Sequence, residues 1–228
     1  MANRAPLAPN EWYHCYNRGV DKRVVFKTVA GYERFLAILF LCNGDKTVHL
    51  SNRVDTNLQN ILLDPNIDRG EPLVDIAAYS LMPNHVHLVL RSSRDGGIAR
   101  FMQKVFTAYT MYFNKRQHRT GALFAGTYKS KHVYDDRYLK RLIPYIVLNA
   151  ADLVEPRWRE HNATLNQKKL LQYPYASLPD FLGVPRPEGK IINTSIHEYY
   201  ETIPSLDEMI AEARLFYREN EKELRKLT

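Results

Sequence analysis

The sequence predicts an α+β protein: an antiparallel sheet with helices packed on one face, ferredoxin-like in outline. Three observations predict it. Short strand-like runs at 12–17, 73–81, 85–91 and 123–134 are interspersed with longer runs of helical spacing. Their order is strand, helix, strand, strand, helix, strand, helix. The two middle strands are joined only by Met82-Pro83-Asn84, a link that suits an antiparallel hairpin.

Each element has a local reason. Residues 12–17 alternate aromatic, polar and small side chains and then meet Arg18-Gly19, a strand running into a turn. Thr28 can cap a helix over 29–42, whose apolar stripe is Phe35, Leu36, Leu39 and Phe40, and Asn43-Gly44 stops it. Residues 45–72 are rich in Asn, Asp, Pro and Gly, with one apolar piece at 58–63, and read as a loop insertion with a helical turn. Asp95 or Gly97 opens a long helix to about His118, with Ile98, Phe101, Met102, Val105, Phe106, Tyr109, Tyr112 and Phe113 at helical spacing. Asp135-Asp136 places carboxylates at the positive end of a last domain helix, which runs to about Asn149 around Pro144. From Glu155 the texture changes. Prolines recur, so 156–190 reads as an arm laid over the domain, followed by a charged amphipathic helix over 206–227. The chain therefore divides into a domain at 1–154 and a C-terminal arm and helix at 155–228.

A chain of 228 residues with 45% hydrophobic and 25% charged residues can bury a core without disulfides, and Cys15 and Cys42 read as buried, inert thiols. Residues 1–10 lack the apolar segment of a signal peptide, and the longest apolar stretch, 35–42, is too short for a bilayer. The expectation is a cytoplasmic, nucleoid-associated protein with no membrane partner. A net charge of +7 favours a polyanion. The cations are interleaved with aromatic residues, as single-strand binding requires, and the candidate DNA contacts are Arg18, Lys104, Lys115, Arg116, Arg119, Lys129, Lys131, Arg137 and Arg141. A solvated helix face is the alternative reading of the same residues.

Two constellations can carry chemistry. In His85-Val86-His87, residues two apart on a strand project from one face, so both imidazoles can hold one metal ion. Two satisfied histidines at a sheet surface would leave the same pattern. Metallo-hydrolases of the lactamase type want an Asp-His soon after, where this chain has Leu88-Val89-Leu90, and phosphoesterases with twin His-x-Thr/Ser motifs want a second copy. In Tyr145-Ile146-Val147-Leu148-Asn149, residues four apart share a helix face. Asn149 offers a carbonyl oxygen suited to Mg²⁺ or Mn²⁺, and Tyr145 a phenol able to form a covalent intermediate. By composition alone, one tyrosine of 15 on a partly apolar helix is usually a core residue.

These residues in this order resemble the single-tyrosine transposases with a two-histidine (HUH) motif, in the branch associated with repetitive extragenic palindromes (REP). Met82-Pro83-Asn84-His85-Val86-His87-Leu88-Val89 resembles the family's histidine strand. Leu123-Phe124-Ala125-Gly126-Thr127-Tyr128-Lys129-Ser130 resembles the strand before its catalytic helix. Asp135-Asp136-Arg137-Tyr138-Leu139 with Tyr145 to Asn149 resembles that helix, and Tyr16-Asn17-Arg18-Gly19-Val20 its first strand and turn. The resemblance implies that residues 1–154 form the catalytic domain. His85, His87 and Asn149 would be the ligands of a divalent Mg or Mn ion and Tyr145 the nucleophile. The activity implied is cutting and rejoining of single-stranded or hairpin DNA through a 5′-phosphotyrosine. Relatives include both homodimers and monomers. The chain departs from the pattern at Ala150, where relatives carry proline, and at Pro144, which removes a helix hydrogen bond at a cost of about 3 kcal/mol. Three other readings use the same residues: a domesticated member that no longer transposes but still nicks palindromic single-stranded DNA, a non-catalytic nucleic-acid-binding module, and a metal-dependent phosphodiesterase that uses water.

Overall fold

The computed structural model describes residues 7–48, 57–160 and 163–224. Its strands are β1 (Trp12–Arg18), β2 (Val74–Met82), β3 (His85–Ser92) and β4 (Lys129–Val133). They form one antiparallel sheet in the order β2-β3-β1-β4, with β2 and β4 at its edges. Met82 pairs directly with His85, so the β2–β3 hairpin turns on Pro83-Asn84 as expected. Helices α1 (Val29–Cys42), α2 (Leu58–Leu63), α3 (Gly97–Arg116) and α4 (Asp136–Val147) complete the domain. The C-terminal segment adds short helices α5 (Ala151–Val154), α6 (Gln167–Leu171) and α7 (Leu178–Phe181), and the long α8 (Leu206–Leu224). Of the predicted elements, part of the 45–72 insertion (49–56) and the end of the last helix (225–227) lie outside the described residues.

Strand parity splits the molecule into two cores. Tyr13 and Cys15 of β1, Leu88 and Leu90 of β3 and Tyr79 and Leu81 of β2 face α1 and α3. This is the helical layer the sequence leads one to expect. Thr28 caps α1 by accepting from the Gly31 amide, and α3 contributes Ile98, Phe101, Met102, Val105, Tyr109 and Phe113. Gly97 is required at the start of α3, because a Cβ there would lie 2.2 Å from the Leu73 carbonyl oxygen.

The opposite sheet face is also covered. Trp12, Ala78, Val89 and Val133 meet Leu139, Leu142, Ile143 and Ile146 of α4, and behind α4 lie Trp158, Phe181, Met209, Ala213 and Phe216. The C-terminal arm docks along the β2 edge: Leu81 N–H donates to Tyr175 O, Ser177 N–H to Tyr79 O, and Asn193 N–H to Ile76 O. Covering this edge leaves β4 as the only sheet edge not paired in that way among the described residues. Among the described residues no helix is long and apolar enough to cross a membrane.

Two boundaries differ from expectation. β4 begins at Lys129 rather than Leu123. Residues Leu123, Phe124 and Tyr128 are buried, which explains their strand-like pattern, but the backbone before Lys129 makes only one bridge, Gly19 to Phe124. Helix α4 ends at Val147, before Asn149. Its Pro144 cannot donate to the Lys140 carbonyl, and the Tyr200 hydroxyl donates to that oxygen instead, at 3.3 Å.

Candidate active site

The α4 side of the sheet carries the polar residues that matter. Tyr16 stands opposite His87 and Arg18 opposite His85, so Arg18, Tyr16 and His14 of β1 share a face with both histidines of β3. Lys129 and Lys131 of edge strand β4 are paired with Tyr16 and His14, and extend this face toward solvent. Tyr145 lies in the last turn of α4 above the histidines, its ring centroid 6.3 Å from that of His87. Asn149 follows the helix cap in a tightened turn closed by its own N–H to Ile146 O at 3.2 Å. One turn of separation still brings both residues over the sheet.

Within this cluster several buried polar atoms have no hydrogen-bond partner: His85 Nε2, His87 Nε2, Tyr145 Oη, and both Nδ2 and Oδ1 of Asn149. Orphaned groups of this kind each cost about 1–3 kcal/mol, and folded proteins rarely gather them in one place without a reason. The other ring nitrogens are occupied. His85 Nδ1 is 2.7 Å from Asn84 Oδ1, and His87 Nδ1 is 2.8 Å from His14 Nε2.

The electrostatics follow from burial. Desolvation lowers His85 to about 4; the nearby Arg18 guanidinium adds to the shift and the Asn149 amide opposes it. His87 is held well below the ordinary imidazole range by burial, and then by its neighbours His85 and His14. Burial, with Lys131 nearby, lowers His14 to about 3. All three rings are therefore neutral at pH 7, as metal ligation by nitrogen requires. Burial raises the Tyr145 phenol above its usual range, an effect the Asn149 amide opposes. Asn149 thus lies close to both His85 and Tyr145, although its amide reaches hydrogen-bond geometry with neither.

Among the described residues no three His, Cys, Asp or Glu side chains gather as metal ligands. The donor set that fits a divalent cation is two imidazole nitrogens with one amide oxygen, His85, His87 and Asn149, and the orphaned Nε2 and Oδ1 atoms are the observation that fits it. Such a set is short of a full shell for Mg²⁺ or Mn²⁺ and leaves room for substrate oxygens.

The candidate DNA contacts separate into groups. Arg18 is half-buried beside His85, and its buried Nε lacks a partner. Lys129 and Lys131 flank the cluster, with Lys131 Nζ 5.3 Å from the Tyr138 ring centroid. Arg137 is exposed on α4. Arg141 is held in a double ion pair by Glu212 and Glu219 of α8, both at 2.6 Å. Lys104, Lys115, Arg116 and Arg119 belong to α3 or the turn after it, in the other core's layer. The Lys104 ammonium donates to the carbonyls of Gly44 and Lys46, and Arg119 to Asn114 Oδ1 and Ala122 O, so these two are tied into local structure.

Three residues with a part in the site are missing from the sequence-based set. His14 and Asn84 hold the histidine rings, and Phe216 of α8 lies over Tyr145 at a centroid distance of 5.2 Å, leaving that tyrosine 2% exposed. Parity along β1 was the available signal for His14, which shares its face with Tyr16 and Arg18. Nothing in the sequence signals Phe216, whose role depends on where α8 docks.

Fold and site together define a ferredoxin-like α+β domain with a His-His-Asn-Tyr cluster set between its sheet and its last helix. The family model described as "Transposase IS200 like" matches residues 38–149, a span that includes His85, His87, Tyr145 and Asn149. Over that stretch, just under half of its length, the chain is similar to the IS200-like transposases. Among curated proteins none matches it. A solved structure described as "Structure of the REP associates tyrosine transposase bound to a REP hairpin" aligns with 90% of this chain and 99% of its own, at 12% identity and a TM-score of 0.47.

Proposed function

We propose that this protein is a metal-dependent single-strand DNA endonuclease and strand transferase acting on REP-like hairpin DNA, with Tyr145 as its nucleophile. The observation that carries the proposal is the convergence of unpartnered buried atoms from His85, His87, Asn149 and Tyr145 at one place, within the stretch that matches a transposase family model. The hairpin substrate rests on the resemblance of the 82–89 and 135–149 motifs to the REP-associated branch.

His85, His87 and Asn149 would hold Mg²⁺ or Mn²⁺, which supplies Lewis-acid polarisation of the phosphate and stabilises charge on the departing oxygen. The remaining work falls to the chain's own groups. Tyr145 Oη bonds to phosphorus as the P–O3′ bond breaks; the phenolic proton passes to water and the departing 3′ oxygen takes one up. The product is a 5′-phosphotyrosine and a free 3′-OH, and a 3′-OH attacking the ester reverses the step and rejoins strands. Arg18, beside His85 and with a free Nε, sets a fixed positive charge where the phosphate must sit. Lys129 and Lys131 continue that charge along the open β4 edge for the flanking backbone. Residues 1–154 would supply all of these groups, and α8 buttresses α4. Phe216 packs on the Tyr145 ring and the hydroxyl is buried, so a strand gains the hydroxyl only when the side chains around it move.

That burial also favours a second reading, a non-catalytic DNA-binding protein of the same fold. One experiment separates them: incubate the protein with end-labelled hairpin DNA carrying a single-stranded flank and Mn²⁺, denature, and resolve by electrophoresis. The enzyme yields a label that travels with the protein. Binding without adduct supports the second reading, and cleavage without adduct a water-using phosphodiesterase.

A further inference from the structure

We infer that His14 is a positioning residue that fixes the tautomer of His87, so that the His87 Nε2 lone pair faces the site. The inference rests on the metal-site reading above. It concerns a contact that neither the motif nor the ligand set includes.

His14 is 2% exposed and sits on β1, one residue pair along from Tyr16, which stands opposite His87. Its Nε2 is 2.8 Å from His87 Nδ1, and the two rings are stacked at 5.1 Å and 27°. One hydrogen lies between those nitrogens, so only two neutral arrangements exist. If His14 donates, His87 carries its own hydrogen on Nε2. That buried atom has no acceptor, and a protonated Nε2 cannot ligate. If His87 donates from Nδ1, its Nε2 is a bare lone pair on a ring that neighbours those of His85 and Tyr145. The second arrangement requires His14 to present an unprotonated Nε2, with its own hydrogen on Nδ1.

The neighbouring histidine shows the same logic with a simpler partner. His85 Nδ1 is 2.7 Å from Asn84 Oδ1, an oxygen that can only accept, which leaves His85 Nε2 bare as well. Both rings are thus held from behind by acceptors, and both free nitrogens belong to the orphaned cluster. Metal-ligating histidines usually donate their second nitrogen to a carboxylate, a carbonyl or water. Here both partners are uncharged. A carboxylate behind His87 would place a negative charge close to where the phosphodiester must enter. A neutral imidazole orients the ring without repelling the substrate.

The test uses the full-length protein labelled with ¹⁵N-histidine. Long-range ¹H–¹⁵N correlation spectra of the metal-free protein report each tautomer directly. Wild type should show His87 protonated at Nδ1. His14→Phe keeps a ring but removes the acceptor; His87 should move toward the Nε2-protonated form and the Mn²⁺ Kd should rise by about 10- to 100-fold. His14→Gln returns an acceptor oxygen near the position of Nε2 and should restore both the tautomer and most of the affinity. An Nε2-protonated His87 in wild type overturns the inference, as does a His14→Phe protein with unchanged tautomer and Kd. Equal loss of affinity in His14→Phe and His14→Gln with the tautomer preserved would mark His14 as packing only, and also overturns it. If His14→Phe does not fold, the wild-type and His14→Gln spectra still decide. Should wild type bind no Mn²⁺, the functional reading fails, while the metal-free tautomer still decides whether His14 orients His87.

Discussion

Replacing Tyr145 by phenylalanine should separate chemistry from stability in an unusual way. The ring is packed between His87 and Phe216 and is 2% exposed, so its apolar contacts survive the change. The hydroxyl is buried and makes no hydrogen bond. A buried polar group without a partner costs about 1–3 kcal/mol, so removing it recovers part of that penalty, less the small void left behind. We expect Tyr145→Phe to be stabilised by about 1–2 kcal/mol, a rise in Tm of roughly 2–8 °C for a chain of this size. The same protein should form no covalent DNA adduct while binding hairpin DNA as wild type does. Differential scanning calorimetry and the adduct gel read the two effects separately. A fall in Tm of similar size would show that the hydroxyl is engaged in the folded state. An adduct that persists in Tyr145→Phe and disappears in Tyr138→Phe would move the nucleophile to the half-buried tyrosine two turns earlier.

The other expectations are more direct. EDTA should abolish adduct formation and Mg²⁺ or Mn²⁺ restore it, with His85→Ala or His87→Ala inactive and Asn149→Ala active only at raised metal; full activity in EDTA would sink the metal reading. In the metal-free protein, His85 at about 4 and His14 at about 3 lie below the unfolded value of 6.5, so their contribution to stability is complete above pH 6.5 and is lost as the pH falls toward those values. Each such group adds a slope of up to about 1.4 kcal/mol per pH unit in that window, and a urea midpoint unchanged between pH 7 and pH 5 would contradict it. Binding should weaken with salt by roughly 0.7 log units in K per log unit of salt for each phosphate neutralised on a single strand, and Lys129→Glu with Lys131→Glu should weaken it alike across sequences. Equal or tighter binding to blunt duplex would point to a general duplex-binding protein.

What could be read from the sequence was whatever depends on local chemistry. The Thr28 cap, the Asn43-Gly44 stop, the Pro83-Asn84 turn and the shared face of His85 and His87 are written in neighbouring residues, and the structure has each of them. The strand expected from Leu123 shows the limit. Leu123, Phe124 and Tyr128 alternate because they are buried, yet burial does not guarantee pairing, and the ladder starts only at Lys129. The second helical layer was not legible, because α4 and α8 meet through Tyr138, Tyr145 and Phe216, residues far apart in the chain. Arg141 looked like a free cation for the same reason: its partners Glu212 and Glu219 lie on α8. His14 needed the β1–β3 register, which fixes which β1 side chains meet His87.

The central claim is that one tyrosine becomes linked to DNA, and peptide mapping tests it most directly. Trypsin should release residues 142–157 as one peptide, bounded by Arg141 and Arg157, in which Tyr145 is the sole tyrosine; Tyr138 leaves separately, between Arg137 and Lys140. Wild-type protein is incubated with hairpin DNA and Mn²⁺, digested with trypsin and nuclease, and analysed by mass spectrometry. The account predicts a nucleotide remnant on the 142–157 peptide, attached through a 5′-phosphate to Tyr145. A remnant on any other tyrosine, or cleaved DNA with no modified peptide, would contradict it.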